Sequence, residues 1–342
     1  MKRWTAPLAA LTLAATTALL PSSAASAAPA ADSSIAGITG VGVHNAYVQA
    51  TFPWMIDALE SGASMLEIDV WQNFAGSRAY QVGHDPGNAN NCSSATTFAN
   101  LRTGSRNQNF QTCLRNIRLW HDQNPNHAPV ILKIEMKNGF DGRNGFGAAQ
   151  FDTLLTNALG AGAILHPAQV KGGASTLDAA VRAGAWPSRD SLRGKFVILA
   201  ETGAFEAQNP FDNYHTDLEY ADHLTSLAAA GTLGNATMFT TINGASATDP
   251  RTGAHGGSRA QWYVTFDGDA NGWVAGSTDF YKNGRYMLVM ADAQNVAPAI
   301  DGRNPTVQQA TDRLHLLAAR GATIISSDWT NPAIVSQTTP RS

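Results

Sequence analysis

The stretch Met65–Trp71, MLEIDVW, narrows what this chain can fold into more than any other. Read as a β-strand it alternates, with Leu66, Ile68 and Val70 on one face and Glu67 and Asp69 on the other. Two carboxylates in so apolar a run are costly unless a cation or a proton compensates them. Same-face neighbours stand about 6.6–6.8 Å apart along a strand, so both side chains can converge on one ion. A bare E-x-D also suits an exposed sheet face. Its neighbours decide between the two.

Upstream, VGVHNAY ends a short apolar run at His44 and Asn45. Downstream, YQVGHDP ends another at His84, and VILKIEM places Glu135 on one face with Lys133 and Lys137. Four short runs therefore deliver polar groups at or near their C-terminal ends. Two imidazoles can exchange protons near neutral pH, and three carboxylates with one amide form a set of hard oxygen donors. Such donors suit Ca²⁺ or Mg²⁺, whereas Zn²⁺ favours His and Cys.

The N-terminus has the order of a secretory signal peptide over residues 1–27. Lys2 and Arg3 lead an apolar centre, Leu8–Leu20, and Ala25-Ser26-Ala27 forms a small-residue cleavage site. That centre is too short to span a membrane. The expectation is an exported, extracellular protein whose residues 28–342 form a single catalytic domain. With 23 basic against 26 acidic residues and no basic cluster, nucleic acid is excluded as a partner. Strong adhesion to an anionic bilayer through charge alone is excluded on the same ground. Cys92 and Cys113 are the two cysteines, and an oxidising compartment makes a disulfide between them the expected state.

Helical spacing recurs between the strand-like runs. Tyr47–Ser61, Gln111–Asp122, Ala148–Leu159 and Thr306–Arg320 read as helices, and 195–201, 238–242, 262–266, 285–292 and 322–329 as strands. The alternation predicts a parallel sheet with eight or nine strands, enough to close a single distorted TIM-like (β/α) barrel. Active sites of such barrels lie at the strands' C-terminal ends. His44, Glu67, Asp69, His84, Glu135, Glu201, Asp292 and Asp328 all fall there. Trp262, Tyr263, Trp273 and Tyr281 suit either the barrel wall or an aromatic rim.

The order H-N, E-x-D, H, E on successive strand ends resembles phosphatidylinositol-specific phospholipase C, in particular the calcium-dependent type found in eukaryotes and in some exported bacterial enzymes. The resemblance covers His44 to about Lys137. It implies that Asn45, Glu67, Asp69 and Glu135 hold Ca²⁺ and that His44 and His84 handle protons. Metal-independent members of that superfamily are expected to carry arginine where Asp69 stands, so the acid here speaks for a cation. Lys133, Lys137 and Asp328 are candidate substrate contacts. The substrate expected from the resemblance is a phospholipid, met in transient contact with a membrane surface by a monomeric enzyme. HDP at His84–Pro86 and E-x-K at Glu135–Lys137 are also similar to glycerophosphodiester phosphodiesterases, in which metal-activated water attacks. A non-catalytic barrel that binds calcium or lipid head groups is a third reading, one that leaves His84 without a purpose.

Overall fold

The short apolar runs become strands because the fold covers both of their faces, an environment that suits Val, Ile, Leu and Met. The computed structural model describes Met1, residues 34–72 and residues 79–342. The expected signal peptide, Met1 apart, lies outside the described residues. Ten strands occur among those described: β1 (Ile38–Val43), β2 (Met65–Trp71), β3 (Gln81–Val82), β4 (Val130–Met136), β5 (Phe196–Thr202), β6 (Met238–Asn243), β7 (Thr265–Asp267), β8 (Met287–Met290), β9 (Ile324–Ser327) and β10 (Thr338–Pro340).

All but β3 and β10 run parallel, and β1 pairs with both β9 and β2 to close an eight-stranded α/β barrel ringed by helices. Register sets the levels inside it. Glu67 stands beside Lys133, Asp69 beside Glu135, and Glu135 beside Glu201. Leu66, Ile68 and Val70 take the opposite face of β2 and belong to the continuous apolar core. The helix Phe110–Gln123 adds its Phe110, Leu114, Ile117 and Trp120 to that core. The two short antiparallel strands sit at opposite ends. β3 pairs with the last residues of β2, and β10 with the first residues of β1.

Helices 110–123, 148–159 and 307–319 match the periodicity closely. Tyr47–Ser61 does not, because only Met55–Glu60 is helical. Pro53 has no N–H to give, and it restricts the residue before it. Asn91 also takes over carbonyls that a helix needs, donating its side-chain amide to Ala46 O and Phe52 O at 2.9 and 3.0 Å. The run 262–266 yields a strand only from Thr265, since Trp262 closes a 3₁₀ turn and donates to Thr225 Oγ1 on an outer helix. Trp262, Tyr263, Trp273 and Tyr281 are all buried, which places them in the wall. A Cys92–Cys113 disulfide is formed and fastens the loop after β3 to the helix that begins at Phe110.

Candidate active site

Glu67 and Asp69 sit inside the barrel although both are almost wholly buried, at 3% and 1% exposure. Buried carboxylates need charge partners. Lys133 of β4 and Lys137, the residue just after that strand, supply them. Lys133 Nζ lies 3.6 Å from Glu67 Oε2, 3.2 Å from Glu201 Oε2 and 2.5 Å from Asp267 Oδ2. One level higher, Lys137 Nζ lies 3.2 Å from Asp69 Oδ2 and 2.8 Å from Glu135 Oε1. The Ala204 N–H also donates to Glu135 Oε1, at 3.0 Å, and so ties the loop after β5 to the cluster.

The balance remains acidic. Burial, and then the charges of Glu135 and Glu67, push Asp69 up to about 7 against the pull of Lys137. Burial raises Glu67 as well, with Lys133 and His44 opposing, and it raises Glu201 most plainly, with Asp267 adding to the effect. Glu135 goes the other way. Burial would raise it, but Lys137, Lys133 and the Ala204 N–H outweigh that and hold it below the usual range.

The donor set fits a hard cation. Glu67, Asp69 and Glu135 each offer an oxygen within 4.8 Å of the others. Glu201 Oε2 and Asp267 Oδ2 face the Lys133 ammonium, whereas buried Asp69 Oδ1 has no hydrogen-bond partner. Asn45 takes a left-handed backbone, φ 51°, which asparagine tolerates better than most residues. The next helix begins only at Met55, with Trp54 at its N-cap, so Asn45 caps no helix. Its Oδ1 accepts a hydrogen bond from the Tyr47 hydroxyl at 2.8 Å. Burial, together with the Asp69 charge, pushes that hydroxyl well above its ordinary pKa. Oxygen-only donors of this kind match calcium, which takes six to eight ligands and so admits others beside these four residues.

His44 is half exposed at the mouth. Its Nδ1 lies 2.8 Å from Asp328 Oδ1, and its Nε2 lies 3.9 Å from Glu67 Oε1. Burial disfavours the imidazolium, but the Asp328 hydrogen bond and the Glu67 and Asp328 charges prevail and raise His44 to about 9. Positive charge placed among the carboxylates opposes that rise. The same pairing holds Asp328 below the usual carboxylate range.

His84 stands apart, 68% exposed, with its neighbour Asp85 at 3.7 Å. Its backbone is nonetheless pinned to the end of β2. Gly83 N donates to Asp69 O at 3.3 Å, and Trp71 Nε1 donates to Gly83 O at 2.9 Å. The structure thus gathers His44, Asn45, Glu67, Asp69, Lys133, Glu135, Lys137 and Asp328 at one end of the barrel and leaves His84 at its rim.

A cavity of about 180 Å³ opens there, lined by His44, Glu67, Lys133, Glu135, Glu201 and Asp267 among others. Larger cavities exist elsewhere on the molecule, but none of them holds this carboxylate cluster. Sequence reasoning passed over Asp267 and Asn243, although each ends a strand as Asp69 nearly does. Asn243 Nδ2 donates to Glu201 Oε1 at 2.5 Å. Nothing in the sequence signalled Tyr47.

Known proteins share this architecture. The family model for phosphoinositide phospholipase C, Ca²⁺-dependent, matches residues 97–251. A Ca²⁺-dependent phosphatidylinositol-specific phospholipase C from Streptomyces antibioticus is 44% identical, with a TM-score of 0.87, over 90% of this chain and 99% of that one. A calcium-dependent phosphoinositol-specific phospholipase C from a Gram-negative Pseudomonas has a TM-score of 0.67 at 17% identity, over 91% of this chain and 96% of that one. The second likeness speaks for the fold alone. No curated protein matches the chain.

Proposed function

Since this chain belongs to the Ca²⁺-dependent phosphoinositide phospholipase C family, we propose that its carboxylate-lined barrel mouth cleaves phosphatidylinositol by internal transfer. The inositol hydroxyl next to the phosphodiester attacks phosphorus, the bond to the glycerol oxygen breaks, and the products are diacylglycerol and an inositol cyclic phosphate. His44 accepts the hydroxyl proton through Nε2, oriented by Asp328 on Nδ1. His84, at the rim beyond Asp69, approaches from the leaving-group side and protonates the departing alkoxide. Lys137 adds positive charge beside the phosphoryl oxygens. Lys133, enclosed by three carboxylates, holds the floor of the site together.

Asn45, Glu67, Asp69 and Glu135 are the residues that would hold Ca²⁺. When bound, the ion offsets charge that develops on the phosphoryl oxygens and favours ionisation of the attacking hydroxyl. The observation that carries this reading is the buried three-carboxylate cluster, with Asp69 Oδ1 unpartnered, beneath an imidazole already oriented by an acid.

The enzyme acts as a monomer at a bilayer surface. Phe205, Phe211 and Tyr214 are exposed on the loop after β5, the loop that Ala204 ties to Glu135, and Phe211 is 96% exposed. Apolar side chains so placed suit insertion between lipid head groups. The N-terminal pattern supports export, with a mature domain from residue 28.

Phosphorus NMR of a phosphatidylinositol digest tests the proposal. A cyclic phosphate that appears first, and only with Ca²⁺ present, is the expected result. Phosphatidic acid, or an inositol phosphate formed without a cyclic precursor, would instead support attack by water, and an unchanged spectrum would leave only a binding protein.

A further inference from the structure

At the opposite end of the barrel from the carboxylate cluster lies a cavity of about 470 Å³. Its lining includes Gly37 just before β1, Arg285 just before β8 and Arg341 just after antiparallel β10, so it opens at the strands' N-terminal ends. Lys282 and Trp186 line it as well. Three cations therefore converge on one cavity in a chain whose acidic residues outnumber its basic ones.

None of the three takes part in an ion pair among the described residues. Arg341 is the most exacting case. Its Nη1 donates to Ala36 O at 3.1 Å and Tyr286 O at 2.6 Å, which fixes the guanidinium, while its buried Nη2 has no partner. Burial alone lowers its pKa to about 10. A guanidinium held in this way, outside any ion pair, leaves its charge uncompensated until an anion enters the cavity.

The backbone makes room for this arrangement. Gly184, at φ +89°, lies under Arg285, and a Cβ there would come within 2.3 Å of Arg285 Nη1. Gly321, at φ +85°, lies between Lys282 and Arg341, where a Cβ would stand 2.6 Å from Lys282 Cγ and 3.5 Å from Arg341 Nη2. A side chain at either position would fill the space that the cations now border.

We infer that this cavity binds a small anion bearing a phosphate dianion. A carboxylate brings one negative charge, whereas a phosphate monoester brings close to two and three acceptor oxygens, which suits two guanidinium groups and an ammonium. The volume exceeds what the phosphate group needs and leaves space for an organic portion beside the Trp186 ring. The site is independent of the catalytic cluster and of its metal.

Trp186 supplies a reporter, because its indole N–H donates to Arg285 O at 2.9 Å. Inorganic phosphate and, separately, an inositol monophosphate are titrated into the full chain at low ionic strength without calcium. The Trp186 indole resonance, assigned with Trp186→Phe, is then followed by NMR. The expected result is a saturable shift with both probes, weakened about tenfold or more in the Lys282→Met/Arg285→Met double variant. Tighter binding of the monophosphate identifies an organic phosphate as the ligand, and tighter binding of inorganic phosphate identifies the free ion. Arg341→Met should abolish the shift. If that variant does not fold, the double variant decides alone, since its two side chains hold no buried carbonyl. A Trp186 resonance unmoved by millimolar phosphate, or one that shifts equally in the double variant, overturns the inference.

Discussion

His44 Nδ1 and Asp328 Oδ1 lie 2.8 Å apart, although 284 positions separate them in the chain. An imidazole held by a carboxylate on Nδ1 has its tautomer and its ring plane set, and it presents Nε2 to the interior. Asp328→Asn should therefore lower kcat about 10–100-fold with little change in KM or thermal midpoint. A raised KM at unchanged kcat would instead make Asp328 a direct substrate contact.

Activity should vanish in excess chelator and return with Ca²⁺. Calcium should also raise the thermal midpoint, since a ligand at a hundred times its dissociation constant stabilises by about 2.7 kcal/mol. Asp69→Asn keeps the side chain's shape but removes charge from the oxygen pair that includes unpartnered Oδ1. It should weaken calcium binding at least tenfold, measured by calorimetry. Full activity in chelator sinks the metal assignment.

The two histidines should separate by leaving group. His84→Ala should lose about 10²–10⁴-fold on phosphatidylinositol and much less on a nitrophenyl phosphodiester, whose leaving group needs no proton. His44→Ala should lose activity on both, since the hydroxyl must be activated whatever departs. Equal losses in all four measurements reject this division of labour.

Phe211→Ser should slow cleavage of lipid in vesicles about tenfold, because a Phe side chain contributes roughly 1.5–3 kcal/mol when it leaves water. Its effect on a short-chain soluble substrate should be slight. Loss on both substrates places Phe211 in the catalytic site rather than at the bilayer.

Glu206 gives a pH signature away from the cluster. Burial raises its carboxyl from an ordinary 4.5 to about 8, even though Thr216 donates to it through both N and Oγ1. The folded chain thus keeps a proton that the unfolded chain has released. The stability this contributes is whole below about 4.5 and is lost as pH rises through about 8. Glu206→Gln should remove a decline on the order of a few kcal/mol from the denaturation curve between those limits. An unchanged slope refutes it.

The barrel was legible because its strands are short apolar runs that carry charge on one face near their C-terminal ends, a pattern that Met65–Trp71 and Val130–Met136 both display. The short antiparallel additions were not. β10 spans only Thr338–Pro340 and forms because β1 offers it a partner. The failed helix after Tyr47 shows the same limit, since helical spacing does not disclose that Asn91, more than 40 residues on, will claim its carbonyls. In the site, one-strand reasoning found Glu67, Asp69 and Glu135. It passed over Asp267 and took Asp328 only as a substrate contact, since the meaning of each comes from what faces it across the barrel.

Lys133 draws together carboxylates from β2, β5 and β7. Replacing any one of its three partners strands charge that the others cannot absorb, and replacing the lysine strands all of them at once. These four positions therefore drift as a block. A lineage that abandons the lysine must shed acids on several strands in nearly the same step, and intermediates that change one position at a time fold poorly whatever their catalytic merit.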